Sequence, residues 1–204
     1  MTMQNLLANV SRETLDQLET YAGLIRKWNP VVNLVAKSTL DALWDRHILD
    51  SAQLLPLIQP DLRHWVDLGS GGGLPGIVVA ILAREIAPQA RVTLVEVDQR
   101  KSAFLREVSR QLNLPVKVAT EKIETLAPQG ADVISARALA ALDVLCGFAH
   151  RHLAPDGQAI FPKGATFEQE LSDARKRWHF DLKEVTSLTQ AEARILILSE
   201  IRHV

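Results

Sequence analysis

The 204-residue chain contains one cysteine, Cys146, so an internal disulfide framework is excluded and a cytoplasmic location fits. It also lacks an excess of either charge. With 23 Lys and Arg against 24 Asp and Glu the net charge is −1, which argues against a chain that coats nucleic acid indiscriminately. A local basic face stays open, because affinity for phosphate depends only on the Lys and Arg that touch it. No apolar run reaches the ~18 residues of a membrane span. The start, MTMQNLLANVSRETLDQ, has neither the basic beginning nor the apolar core of a signal peptide. Internal repeats, low-complexity tracts and linkers are missing too. What remains is a chain with 47% apolar and 23% charged residues, the composition of a soluble globular unit.

The richest stretch is Trp65–Gly76, WVDLGSGGGLPG. An apolar run carrying one acid, Asp67, breaks into glycines and then resumes as the helix-forming Ile77–Leu82. That order predicts strand, tight turn, helix. Glycines permit positive φ and let a ligand approach bare backbone, and Pro75 suits a first helical turn.

Before this stretch, Leu15, Leu18, Ala22 and Ile25 share one face of a helix predicted over 11–28, capped by Ser11 and ended by Pro30. A second helix is expected over 39–57. After it, strands are expected at 64–68, 91–97, 116–120, 132–136, 157–163, 180–188 and 194–201. Helices are expected between them at 76–87, 100–113, 122–126, 138–153 and 167–178. The alternation implies an α/β fold of mainly parallel strands, and the short Thr189–Ala193 link implies an antiparallel closing pair, seven strands in all. Residues 1–60 form a helical extension and 61–204 the main domain, layers of one compact unit. Ligands of such sheets lie at the carboxyl ends of the strands, which draws attention to Gly69–Gly73, Glu96–Asp98, Ala119–Glu124, Ser135–Ala138 and Lys163–Gly164.

Two cofactors compete for the loop. Gly71, Gly73 and Gly76 formally fit the dinucleotide fingerprint, but the turn already begins at Gly69. A P-loop is excluded, since no Gly-Lys-Ser/Thr follows. The acid two residues before a G-x-G turn would oppose a pyrophosphate and favour a sulfonium and ammonium ligand, so S-adenosylmethionine is the better fit. Glu96, at the end of a second strand, suits the ribose hydroxyls of either cofactor.

Read this way, the chain resembles the small-subunit ribosomal RNA guanine-N7 methyltransferases, the RsmG or GidB family. The resemblance rests on Arg46-His47-Ile48-Leu49-Asp50-Ser51 and on Asp67-Leu-Gly-Ser-Gly-Gly-Gly-Leu-Pro-Gly76. Further matches are Arg100-Lys101-Ser-Ala-Phe-Leu105, Ser135-Ala-Arg137-Ala138, Lys163-Gly164, Lys27-Trp28-Asn29 and Asn33-Leu34. It implies a seven-stranded, Rossmann-like class I S-adenosylmethionine-dependent methyltransferase fold with an N-terminal helical extension. The implied reaction methylates N7 of one guanine in 16S rRNA, in a small subunit or an assembly intermediate. By position, Asp67, Gly69, Ser70, Gly71, Leu74 and Glu96 would hold the cofactor, with Ile123 and Glu124 flanking its adenine. Arg137 would reach both cofactor and nucleotide.

Guanine N7 carries a lone pair and no proton, so direct displacement needs no general base. No Asp/Asn-Pro-Pro-aromatic motif for amino-group methylation follows the fourth strand, and Cys146 sits among apolar neighbours, unlike a nucleophile. Arg137 is the expected catalytic residue; a surface pairing with Asp143 is its plainer alternative. Arg46 and Asp50, four apart, are expected to pair along a helix. Arg46, His47, Arg100, Lys101, Arg106 and Lys163 are the expected RNA contacts, although charged helix faces are usually only solvated. No metal site is expected, and nothing demands more than a monomer. The rivals are a methyltransferase of the same fold with another acceptor, a nicotinamide-dependent dehydrogenase, and a silent RNA-binding module.

Overall fold

A computed structural model describes residues 6–204; the first five, which open the expected helical extension, lie outside the described residues. Helix α1 (Arg12–Val32) is capped by Ser11, whose hydroxyl accepts from the Thr14 amide. It runs past Pro30 and ends at Asn33, in left-handed conformation. Beyond it the expected second helix is broken. Residues Lys37–Thr39 form a 3-10 turn, Trp44–Leu49 a π-helical turn running into the single-turn α2 (Asp50–Ala52), and Leu55–Leu57 another 3-10 turn.

Seven strands follow: β1 (His64–Leu68), β2 (Arg91–Val95), β3 (Val116–Ala119), β4 (Ala131–Ser135), β5 (Leu153–Lys163), β6 (Trp178–Thr186) and β7 (Arg194–His203). They form one sheet in the order β3-β2-β1-β4-β5-β7-β6. The first five strands are parallel, and β7 enters antiparallel between β5 and β6. Every β1 residue is buried, as expected of a central strand covered on both faces. Helices α3 (Gly76–Ile86) and α4 (Gln99–Gln111) pack with α1 in one apolar layer. Helices α5 (Leu142–His152) and α6 (Phe167–Ala174) enter a second layer with Val66 and Leu68.

Three further elements depart from the sequence reading. The segment 122–126 is a turn. The helix expected from 138 starts only at Leu142, because Ala138 adopts φ 53° and the chain bends there. Strand β5 begins four residues early and runs through Pro155 and Gly157; a Cβ on Gly157 would stand 2.6 Å from the Ala131 carbonyl, where the β4–β5 register shifts.

Two interactions fix the β1–α3 connection. Tyr21 of α1, fully buried, donates its hydroxyl to the Gly72 carbonyl at 2.6 Å. Asp67 lies beneath the loop, 1% exposed, and accepts the Ser135 hydroxyl of β4 at 2.6 Å on Oδ1. Its Oδ2 has no well-formed partner and faces Gly76, where a Cβ would come within 2.7 Å of it and 2.3 Å of Leu94. Burial pushes the Asp67 carboxyl up to about 6, against the opposing pull of the Ser135 and Ser70 hydroxyls.

Two outcomes follow from these contacts. Tyr21→Phe leaves a buried carbonyl unpaired and should cost about 1–3 kcal/mol, read as a lower urea midpoint at unchanged slope. For Asp67 the folded carboxyl holds its proton to higher pH than the unfolded one, so its contribution is complete at low pH and is lost as pH rises through about 6. Relative to Asp67→Asn, the wild type should therefore lose up to about 3 kcal/mol of stability between pH 4 and 7. Parallel pH profiles for the two proteins would contradict this.

Candidate functional site

A cleft of about 850 Å³ opens at the carboxyl ends of the strands. Its floor is Gly69–Gly72 and Leu74, one wall is Thr39, Arg46, His47, Asp50 and Gln53, and another is Arg137–Ala141 with Lys163 and Gly164. The β6–β7 connection closes it with Ser187, Gln190 and Arg194. Glycine loop, RHILDS block and the residues after β4 therefore meet at one space, as their positions in the sequence implied.

The loop is shaped for close approach. Gly69, Gly71 and Gly73 all have positive φ, and a Cβ on Gly73 would meet Ile77 at 2.5 Å and the Tyr21 hydroxyl at 3.0 Å. Pro75 sits just outside α3, as its N-cap, and the Leu74–Pro75 peptide is cis. Ser70 is buried, its hydroxyl donating to the Asp67 carbonyl at 2.9 Å. Asp67, expected to face a cationic donor, is instead shielded beneath the loop. Its place is to support the loop from below, out of reach of anything in the cleft.

Glu96 stands at the rim of this floor, 7% exposed. Its Oε2 accepts the Gly71 amide and its Oε1 the Asp98 amide, each at 2.8 Å. A carboxylate oxygen offers two lone pairs, so each keeps one free, the acceptor pair that two vicinal ribose hydroxyls require. Ile123 and Glu124 follow β3 in the neighbouring turn. Ile123 is buried, and its carbonyl accepts Nε2–H of the buried His152 at 3.0 Å; Glu124 is exposed. The donor set thus fits an adenosine-bearing cofactor laid along the strand ends from Gly69 to Glu124. Among the described residues no group of His, Cys, Asp or Glu can hold a metal ion.

Arg137, two residues beyond β4, does not pair with Asp143, which pairs with Arg177 at 3.4 Å. Its guanidinium crosses the cleft. Nη1 donates to Asp50 Oδ2 at 3.1 Å and to the Arg46 carbonyl at 3.4 Å, and Nη2 donates to His47 Nδ1 at 3.0 Å. The expected Arg46–Asp50 pair is replaced by this bridge, in which Asp50 and the Arg46 carbonyl both accept from Arg137. Burial, then the Arg137 charge, push the His47 imidazole down to about 4.

The expected basic rim is only partly assembled. Arg46 and Lys101 line the cleft. Arg100 and Arg106 are exposed on α4; Arg106 donates to Thr120 at 2.5 Å, and the Arg100 side chain lies 4.0 Å from Asp98. Lys163 is turned inward, 9% exposed, bonding Glu170 at 2.7 Å and the Ala140 carbonyl at 2.8 Å. It clamps the wall that carries Arg137, with two of its three N–H donors spent inside the protein. Cys146 is buried, and burial pushes its thiol up to about 12, far from a thiolate nucleophile.

Two supporting residues were given no role by the sequence reading. Asn29 Oδ1 accepts the Leu34 and Val35 amides, both at 2.8 Å, which lays Leu34 against Gly72. Gln53 accepts the Leu188 amide and donates to Asp50 and Ser187, tying the β6–β7 connection to the RHILDS block. Long-range partnerships of this kind leave no periodicity; only the short blocks Lys27-Trp28-Asn29 and Asn33-Leu34 pointed toward one of them.

Comparison with known proteins agrees with this geometry. A family model described as "rRNA small subunit methyltransferase G" (GidB) matches residues 14–198. The chain is 50% identical to a "Ribosomal RNA small subunit methyltransferase G" from a Ruegeria species, over 98% of this chain and 97% of the relative. It is 53% identical to one of the same name from Cereibacter sphaeroides, over 96% and 94%. Among solved structures, a "SAM dependent methyltransferase from Aquifex aeolicus" aligns with TM-score 0.58 at 12% identity, over 77% of this chain and 91% of that one. A methyltransferase from Geobacter sulfurreducens aligns with TM-score 0.56 at 18% identity, over 93% and 89%. These identities speak for the fold alone, the class I methyltransferase fold. The family match, which runs from α1 into β7, says more: the chain belongs to the rRNA small subunit methyltransferase G (GidB) family of methyltransferases.

Proposed function

We propose that the chain moves the methyl group of S-adenosylmethionine to N7 of a guanine in 16S small-subunit rRNA, by direct in-line displacement without a general base. The observation that carries this reading is the state of the titratable groups around the cleft. The glycine loop and Arg137 face one space, and each candidate base that lines it already accepts from a donor within the protein. His47 Nδ1 is taken by Arg137. Asp50 accepts from Arg137, Gln53 and Thr189, and Glu170 accepts from Lys163 and the Leu142 amide. Such a cleft suits an acceptor that arrives with a lone pair and no proton to lose, which guanine N7 is. It suits an amine acceptor poorly, and the buried Cys146 thiol is no partner for carbon methylation.

The bound cofactor supplies an electrophilic methyl carbon. The residues supply alignment, which is worth up to roughly 7–11 kcal/mol in favourable cases. The Gly69–Gly71 backbone and Leu74 form the seat, Glu96 takes the ribose hydroxyls, and Ile123 and Glu124 flank the adenine. Arg137 presents its free N–H groups to guanine O6, a phosphate or the cofactor carboxylate. Arg46, Lys101, Arg100 and Arg106 form the rim that meets the RNA backbone. A net charge of −1 gives little non-specific affinity, so the folded shape of a small subunit or an assembly intermediate supports recognition better than naked strands do. One chain holds every group named, so a monomer suffices, acting in the cytoplasm with residues 1–60 as a layer of the same unit as 61–204.

Two measurements test this. S-adenosylhomocysteine should raise the thermal midpoint by several degrees at saturating concentration while NAD leaves it unmoved; the reverse pattern would return the loop to the dinucleotide class. Arg137→Ala should fold, and should lower methylation of small subunits by about 100-fold or more. Wild-type turnover in that variant would remove Arg137 from the mechanism.

A further inference from the structure

The RHILDS block has a second reading once its contacts are followed atom by atom. Arg137 can only donate hydrogen bonds, so the 3.0 Å contact between its Nη2 and His47 Nδ1 makes Nδ1 an acceptor, with no proton on it. A neutral ring then carries its proton on Nε2, which lies 2.8 Å from Thr39 Oγ1. The Thr39 hydroxyl in turn donates to the Ala36 carbonyl at 2.7 Å. The chain Ala36–Thr39–His47–Arg137 therefore has one consistent set of proton positions, and it ends on the guanidinium. This His47 has no lone pair left for a substrate and no exposed N–H to offer a phosphate.

The guanidinium needs that second contact. Its Nη1 is held by Asp50 and the Arg46 carbonyl, which fixes a point. A planar group held at one nitrogen still swings about that point. The His47 bond on the other terminal nitrogen fixes the plane as well. The Nε–H and the remaining Nη2–H have no partner among the described residues, and together they make a fork for an oxygen acceptor. Three elements from distant parts of the chain are tied by the same hub, since Asp50 also accepts the Thr189 hydroxyl from the β6–β7 connection.

We propose that His47 is a positioning residue for Arg137: its neutral, Nε2-protonated ring fixes the plane of the guanidinium, so that the free N–H fork faces the acceptor nucleotide, and it makes no contact with RNA itself. This rests on the reading that Arg137 works on the nucleotide to be methylated. The low affinity of this imidazole for a proton agrees with the assignment, since a cationic ring would stand between Arg46 and Arg137 and repel both.

Steady-state methylation of unmethylated small subunits by His47→Leu, His47→Asn and wild type tests the assignment. Asn Oδ1 reaches about where Nδ1 stands, so His47→Asn keeps the acceptor and His47→Leu removes it. The expected result is a kcat about 100-fold lower for His47→Leu, with KM for subunits within about threefold of wild type and at least tenfold of the lost rate restored in His47→Asn. Should His47→Leu not fold, Thr39→Val frees the far end of the same chain and should lower kcat several-fold. Wild-type kcat in His47→Leu, or in Thr39→Val where that variant stands in for it, overturns the proposal. So does a loss confined to KM that His47→Asn shares, which would make His47 an RNA contact. No transfer by the wild type would instead overturn the proposed function, and this inference with it.

Discussion

A carboxylate kept from water underlies the geometry of the cleft. Asp67 sits where β1 gives way to the glycine loop, and its two oxygens address two different elements. One takes the Ser135 hydroxyl, which itself accepts the Trp65 indole N–H at 2.8 Å, and so ties the loop to the end of β4. The other faces the start of α3 across Gly76, where no side chain fits. Arg137 lies two residues beyond Ser135. The spacing between the glycine loop and Arg137 is thus set by the β1–β4 ladder, whose last pair, Asp67 and Ser135, also carries this buried side-chain bond. An acid in such a place is costly, and its raised proton affinity records that cost.

The N-terminal segment completes the cleft in two ways. Helix α1 supports the floor from below, through Tyr21 on Gly72 and through Asn29, which lays Leu34 against the same glycine. The π-helical turn and the start of α2 supply a wall, from which His47 and Asp50 accept from Arg137. The sheet and the extension therefore share the walls of one cleft. A methyltransferase sheet alone would present the glycine loop and Glu96, but the guanidinium of Arg137 would have nothing to hold it.

How much of this was legible in the sequence depended on the range of the forces involved. Strands β1 to β4 read to within two residues, because a buried parallel strand is a short apolar run bounded by turn residues. The places of Asp67, Gly69, Glu96 and Arg137 at the carboxyl ends of β1, β2 and β4 were legible because each lies at or just after the end of a strand. The 39–57 segment was misread as one helix, since its apolar spacing suits a helix and nothing in that spacing marks the breaks into 3-10 and π-helical turns. Ala138 was invisible for a related reason. Nothing in SARALAAL warns of a positive φ, and the bend exists because Arg137 is drawn across the cleft and Lys163 and Glu170 clamp Ala140 and Leu142. Lys163 read as a phosphate ligand at a strand end, and nothing in the sequence points to the Glu170 and Ala140 partners that draw it inward.

The central claim is the identity of the methylated atom. It is tested most directly by incubating the protein with methyl-labelled S-adenosylmethionine and small subunits that lack its modification, then mapping the label with strand cleavage selective for N7-methylguanine. The account predicts that label enters 16S rRNA and coincides with a single N7-selective cleavage at one guanine. Label that resists this cleavage, or that resides in ribosomal protein, would contradict it.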